Sequence, residues 1–288
     1  MPATRYEAPT SVSEAIRLMA ADPGASLMAG GTDLLVQFRA GLKRPTTFID
    51  IKRIPELVKF TLGHDGLRLG AAVSAAELGE DAEFKRLWPG LAEAVALIGS
   101  MQIQGRGSVG GNLCNGSPAA DTPCSLIVNH ADCIIAGAGY ERTVAAEAFV
   151  TAPGKTVLAP GEFLVAIRIP RPAARSSDAY LRLTPRSEMD IAVVGSAVSV
   201  TLDDRGICSA ARVALAAVAP TPLLVPEAAR ALIGTRVDEG ALGRAAAAAS
   251  AAAHPIDDKR GTIDYRRQIA GVLTKRAAAI ACRRAKGN

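Results

Sequence analysis

Aromatic side chains are scarce in this chain: Trp, Tyr and Phe make up only 4% of its 288 residues. There are three histidines and five cysteines. Each scarcity removes a class of function. Nucleic-acid binding needs a basic stripe with aromatics interleaved. Here the formal net charge is +5, and basic residues gather only near the C-terminus, at Arg276, Arg283, Arg284 and Lys286. No apolar run reaches the roughly 18 residues of a membrane span. Residues 1–20 lack the basic start and apolar stretch of a secretory signal. An odd number of cysteines does not read as a disulfide framework, so a cytoplasmic chain with reduced thiols is expected. Cys114, Cys124 and Cys133 stand nine or ten residues apart with no C-x-x-C pair. That spacing holds neither zinc nor an iron–sulfur cluster within this chain, and buried free thiols are expected. His64, His130 and His254 are isolated and read as core or surface residues. No nucleophile elbow occurs. A G-x-G-x-x-G motif following a strand is also absent, which argues against a standard NAD-binding Rossmann domain.

What the chain does have is glycine in two dense patches. Gly107-Ser-Val-Gly-Gly-Asn-Leu-Cys-Asn-Gly-Ser-Pro-Ala-Ala-Asp121 carries four glycines and little bulk. Met28-Ala29-Gly30-Gly31-Thr32-Asp33 has the same character. Backbone without side chains lets N–H groups approach a ligand closely, and successive N–H groups form a concave anion site. Thr32, Ser108, Asn112, Asn115 and Ser117 add side chains that bind phosphate or polyol oxygens. Two such loops separated by a folded segment suggest a diphosphate gripped from two sides. The bland alternative is a pair of ordinary turns. Asp33 and Asp121 close the two loops. A carboxylate repels phosphate, so Asp121 is assigned instead to accepting a hydrogen bond from a hydroxyl or ring N–H.

The length allows two or three domains. Residues 1–55 form a first unit. Ser11-Val12-Ser13-Glu14 is a capping-box pattern before a short helix. Residues 26–29 read as a buried strand, 34–39 as a helix stopped by Gly41, and 47–51 as a second strand. This is a βαβ unit with its glycine turn at the strand's C-terminal end, where open α/β sheets bind ligands. Residues 56–175 form a second unit. It has strands at 66–70, 133–136 and 162–169, helices at 74–80, 84–98 and 121–128, and a rigid end at Pro170-Arg171-Pro172. Residues 176–288 form a third. Three strands at 180–183, 191–202 and 207–218 include a tight turn at Asp203–Gly206. Helices follow at 226–233, 239–253 and 264–285. The alanine run 245–249 belongs to a packed helix. Arg182-Leu-Thr-Pro-Arg-Ser-Glu188-Met-Asp190-Ile191 is either a solvated loop or a polar loop of the third unit that closes over a ligand in the first two.

These motifs, taken in order, carry a resemblance. "MAGGTDLL", "GSVGGNLCNGSPAAD", "LRLTPRSEMDIAVVGSAVSV" and "YRRQIAGVLTKRA" resemble the FAD-binding medium subunits of molybdenum hydroxylases. Xanthine dehydrogenases, carbon monoxide dehydrogenases and N-heterocycle or nicotine dehydrogenases belong to that family. The resemblance spans essentially the whole chain. It implies an α+β fold: a two-subdomain FAD-binding module of the vanillyl-alcohol oxidase (PCMH) type, followed by a three-stranded antiparallel sheet with helices.

The resemblance also implies a non-covalent FAD. Its site would comprise Met28, Ala29, Gly30, Gly31, Thr32, Asp33 and Leu34 in the first loop. Ser108, Gly110, Gly111, Asn112, Asn115, Ser117 and Asp121 would follow in the second. Ile103 and Val165 would join them, with Arg182, Asp190 and Ile191 near the flavin ring. Ile98 stands where xanthine dehydrogenases carry a ring-stacking phenylalanine. The cysteine-rich insertion of some acyl-CoA reductase members is missing. No catalytic or metal-ligating residue is implied on this chain. Electrons would come from a molybdenum cofactor on a large partner, through [2Fe–2S] clusters on a small iron–sulfur partner, to FAD and an external acceptor. The assembly would be a dimer of heterotrimers. Two other readings stand beside it: a stand-alone flavin reductase of the same fold, and a scaffold that has lost FAD.

Overall fold

The computed structural model describes residues 4–187 and 189–287; Glu188, in the polar loop, lies outside them. Strand β1 (Arg5–Glu7) leads to α1 (Val12–Ala21), then β2 (Ser26–Met28), α2 (Leu34–Arg39) and β3 (Thr47–Asp50). The Ser11 hydroxyl caps α1 by accepting from Glu14 N, and the Glu14 carboxylate returns to the Thr10 N–H at 2.8 Å. The three strands form a parallel sheet in the order β1-β3-β2. The expected strand–turn–helix–strand unit is therefore present.

A second sheet is antiparallel. It comprises β4 (Phe60–Gly63), β5 (Gly66–Gly70), β6 (Asp132–Gly137), β7 (Tyr140–Ala145) and β10 (Phe163–Pro170), in the order β4-β5-β10-β6-β7. A small hairpin, β8 (Val150–Ala152) and β9 (Lys155–Thr156), precedes β10. Between β5 and β6 run α3 (Ala75–Glu80), α4 (Ala82–Leu87), α5 (Pro89–Ala96), α6 (Met101–Gln104), α7 (Val109–Cys114) and α8 (Thr122–Val128); α9 (Ala146–Phe149) follows β7. The helix expected over 84–98 is broken at Trp88. Pro89 starts α5 as its first residue, and a residue before proline is disfavoured in helical conformation. The glycine-rich second patch is not all loop: Val109–Cys114 is a helical turn capped by Ser108.

The third sheet corrects the sequence reading. It has four antiparallel strands, not three: β11 (Ser176–Leu183), β12 (Val194–Leu202), β13 (Cys208–Ala216) and β14 (Leu223–Leu224). The fourth is two residues long, too short to show an alternating pattern. Gly206 turns the β12–β13 hairpin at φ +76°. One face of this sheet packs on α10 (Pro226–Leu232), α11 (Glu239–Ala252) and α12 (Ile263–Ala285). Alanines make that layer thin. Gly271 of α12 lies against α11, where an added β-carbon would fall 2.8 Å from the Ala246 carbonyl oxygen.

The other face of the third sheet meets α5 and α8, and Tyr180, Ala197, Ala214 and Ala216 join the hydrophobic core shared by the first two sheets. Polar contacts fix that junction. Asp178 is 2% exposed and accepts from Gly90 N (2.8 Å), Leu91 N (3.0 Å) and Asn129 Nδ2 (2.7 Å). Burial raises its pKa to about 6 against the pull of those hydrogen bonds. Arg284 pairs with Glu93 and donates to the Asp178 carbonyl at 2.9 Å. Part of the basic C-terminal cluster thus holds the fold together.

Candidate cofactor site

The first glycine patch leaves β2 at Met28 and enters α2 at Leu34. Gly31 takes φ +74°, a left-handed turn that favours glycine. Gly30 touches the second patch: a β-carbon there would sit 1.8 Å from the Arg106 carbonyl oxygen. The N–H groups of Gly31, Thr32 and Asp33 make no hydrogen bond to the rest of the chain among the described residues. They are the open donors of a helix start. Lys52 secures the approach, donating from Nζ to the Ala29 carbonyl at 2.6 Å and to Asp50 at 2.5 Å. Burial pushes the Asp50 carboxyl up, but hydrogen bonds from Lys52 and Tyr6 outweigh it and hold the pKa low.

The second patch is anchored on the second unit. Ser108 bridges to Ser74, and its hydroxyl accepts from Gly111 N at 3.0 Å. Gly110 lies on β5's exit, where a β-carbon would meet the Ala71 carbonyl oxygen at 2.4 Å. Asn112 Oδ1 accepts from Thr122 Oγ1 at 2.6 Å. Gly105 to Gly110 has the G-x-G-x-x-G spacing, but it follows helix α6 rather than a strand. Gln37 Nε2 of α2 donates to Asn115 Oδ1 at 3.2 Å, a second link between the patches.

Both patches line one cleft of about 250 Å³. Met28 to Leu34 all face it, as do Ser108, Gly110, Gly111, Asn112 and Asn115; Ile98 lines it as well. This volume is below the roughly 300–1,000 Å³ of whole-ligand pockets and has room for only part of a ligand as large as a dinucleotide. Gln37 and Lys43 are among the lining residues that sequence reasoning missed. Gly41, at φ +73°, folds the chain back after α2: Gly41 N donates to Phe38 O, and Leu42 N to Gln37 O. This Schellman arrangement brings Lys43 over the cleft beside Asp33. Partial loss of water around Asp33 raises its pKa, and Lys43 opposes that rise. A lysine two residues after a helix-ending glycine was the available signal.

Seven expected site residues do not line this cleft. Ile103 packs in the turn from Gly99 to Gly107, 2.5 Å from where a Gly99 β-carbon would be. Val165 is buried in β10, its carbonyl accepting from Ala71 N. The Ser117 hydroxyl accepts from Ala119 N at 3.3 Å. Asp121 is buried and accepts from Tyr180 Oη at 3.0 Å and from Arg182 Nη1 at 2.8 Å. Burial raises the Asp121 pKa, against the opposing pull of Arg182. Asp190 Oδ1 accepts from Ile191 N at 2.8 Å, with Arg186 and Arg260 at 3.5 and 3.7 Å. Ile191 is half exposed. Arg182 stands near the end of β11, Asp190 and Ile191 lie between β11 and β12, and of the three only Arg182 is tied to the second patch.

The cleft fits a diphosphate: open N–H donors, glycines at the points of closest approach, and one lysine. Among the described residues no group of His, Cys, Asp and Glu could hold a metal ion. The five cysteines are free, and among the described residues no helix is long and apolar enough to cross a membrane. The fold and cleft together define an α+β protein whose glycine-lined cleft is suited to an anionic ligand.

Comparison with known proteins makes this specific. Residues 2–172 match the family described as the FAD binding domain in molybdopterin dehydrogenase, and residues 179–281 match the CO dehydrogenase flavoprotein C-terminal domain. The chain is 35% identical over 283 residues to the carbon monoxide dehydrogenase medium chain of Afipia carboxidovorans, covering 98% of this chain and 97% of that one. It is 36% identical over 220 residues to the xanthine dehydrogenase FAD-binding subunit of Escherichia coli O157:H7, covering 76% and 75%. The solved carbon monoxide dehydrogenase of Hydrogenophaga pseudoflava superposes with a TM-score of 0.93 at 36% identity over 98% of both chains. The chain belongs to the FAD-binding medium subunits of the molybdenum hydroxylase family, the flavoprotein components of these oxidoreductases.

Proposed function

We propose that this chain carries FAD between an iron–sulfur partner and an external electron acceptor. The convergence of both glycine patches on one cleft supports this reading. The N–H groups of Gly31, Thr32 and Asp33 would take one side of the diphosphate, the Ser108–Asn112 segment the other, and Lys43 would neutralise charge. Bound flavin supplies hydride and single-electron chemistry; the protein supplies position and electrostatics. Arg182, held by Asp121, would set a fixed positive charge at the ring end, with Asp190 and Ile191 beside it. Ser117, Ile103 and Val165 would support the second patch from behind.

The three units are proposed as 1–55, 56–175 and 176–288, the first two forming the PCMH-type module. A small [2Fe–2S] subunit and a large molybdenum subunit complete the assembly, as a dimer of heterotrimers in the cytoplasm. Relatives named as medium chains support the partners. The test is gentle isolation of the native complex. One FAD per chain, with iron and molybdenum in co-purifying subunits, is expected. A colourless holoprotein overturns the FAD reading, and reduction of a substrate by the lone chain favours the stand-alone reductase.

A further inference from the structure

A residue that lines the cleft, Gln37, carries a side-chain atom with no partner. Gln37 Oε1 is buried, and it is the unsatisfied side-chain oxygen or nitrogen found among the described residues. Its surroundings leave it little freedom. Gln37 N is bonded to Asp33 O, and Gln37 O receives Leu42 N and Lys43 N. At the far end of the side chain, Nε2 is committed to Asn115 Oδ1. Turning the Gln37 amide over by itself would set its oxygen against the Asn115 oxygen. Gln37 lines the cleft, and a buried carbonyl without a donor costs about 1–3 kcal/mol.

The sign of this atom carries information. A carbonyl oxygen is a poor neighbour for a phosphate, since both present negative charge. It is a good neighbour for an O–H or N–H. We propose that Gln37 is a cofactor-binding residue whose Oε1 accepts a hydrogen bond from a hydroxyl or amino group of the bound dinucleotide, beside the diphosphate. This rests on the cleft being the FAD site. The donor comes either from the adenosine half or from the ribityl half. Through Asn115 the same side chain joins the two glycine patches, so the ligand's donor completes a link that spans both.

The experiment compares apoprotein of the wild type and of Gln37→Met, a near-isosteric helix former. FAD binding is titrated by flavin fluorescence, ADP and FMN are titrated as the two halves, and the apo melting temperature is measured alongside. A net hydrogen bond corresponds to roughly a 3- to 10-fold change in affinity. FAD affinity is expected to fall by that factor, while the apo melting temperature changes little, because loss of the bond to Asn115 is offset by removal of the orphaned carbonyl. A parallel loss for ADP places the donor in the adenosine half; a parallel loss for FMN places it in the ribityl half. Unchanged FAD affinity overturns the inference and leaves the FAD reading standing. An apo melting temperature that drops along with affinity overturns it in favour of a purely structural Gln37. Wild-type protein that binds no FAD overturns both.

Discussion

Gly30 and the Arg106 carbonyl are in such contact that a β-carbon on residue 30 would lie 1.8 Å from that oxygen. The first glycine patch is seated directly on the entrance to the second, although residues 30 and 106 are 76 positions apart in the chain. No side chain can enter there without moving backbone. Gly30→Ala is therefore expected to weaken the apoprotein by about 1–3 kcal/mol, the usual cost of overpacking, and to lose FAD with it. Denaturant unfolding and bound-flavin content check both.

Gly111 makes a contrast. A β-carbon there meets only Ser108 Oγ, at 3.1 Å, and the residue faces the cleft. Gly111→Val is expected to fold with little loss of stability but to exclude FAD by filling space needed by the diphosphate. Stoichiometric flavin in purified Gly111→Val would count heavily against the assignment.

Lys43 is the cation placed over the cleft. Lys43→Ala is expected to weaken FAD binding by up to roughly tenfold at low salt, and by less as ionic strength rises and screens the wild-type interaction. Titrations at two salt concentrations read this directly.

The Asp121–Arg182 pair is buried, with both side chains under a tenth exposed. Arg182→Met leaves a carboxylate without its cation, at an expected cost of about 3–5 kcal/mol. Burial already raises the Asp121 pKa, and Arg182 holds it back. Without that cation the folded pKa climbs further and the ionised form is penalised more. The variant's deficit should therefore be larger at pH 8 than at pH 5, as unfolding at the two pH values would show.

Asp178 supplies a second pH signature. Its folded pKa is about 6, above the usual 3.8 of an aspartate, so the folded state binds the extra proton between these values. Its contribution is present below the unfolded pKa and is lost as pH rises through about 6. The stability difference between wild type and Asp178→Asn should move against the wild type by roughly 1–3 kcal/mol from pH 4 to pH 7. A flat difference across that range would contradict it.

Much of this was legible in the chain. Capping residues, glycine stops and apolar periodicity marked α1, α2, α12 and the long strands, because those signals are local. The two glycine patches announced the cleft for the same reason. Strand β14 was invisible, since two residues carry no period. The break at Trp88 was overridden by an apolar pattern that continued across Pro89. Gln37 and Lys43 were missed because their places depend on how α2 ends and on a contact with Asn115, far along the chain. Asp121 was read as a ligand-facing acid; its bonds to Tyr180 and Arg182 arise only when the third sheet docks on the second unit.

The central claim is that two separated stretches of bare backbone hold a single diphosphate. A crystal structure of the chain with FAD tests it most directly. Phosphate oxygens are expected within hydrogen-bond distance of N–H groups in Gly31–Asp33 on one side and in Ser108–Asn112 on the other. A diphosphate that leaves either stretch turned away would contradict it.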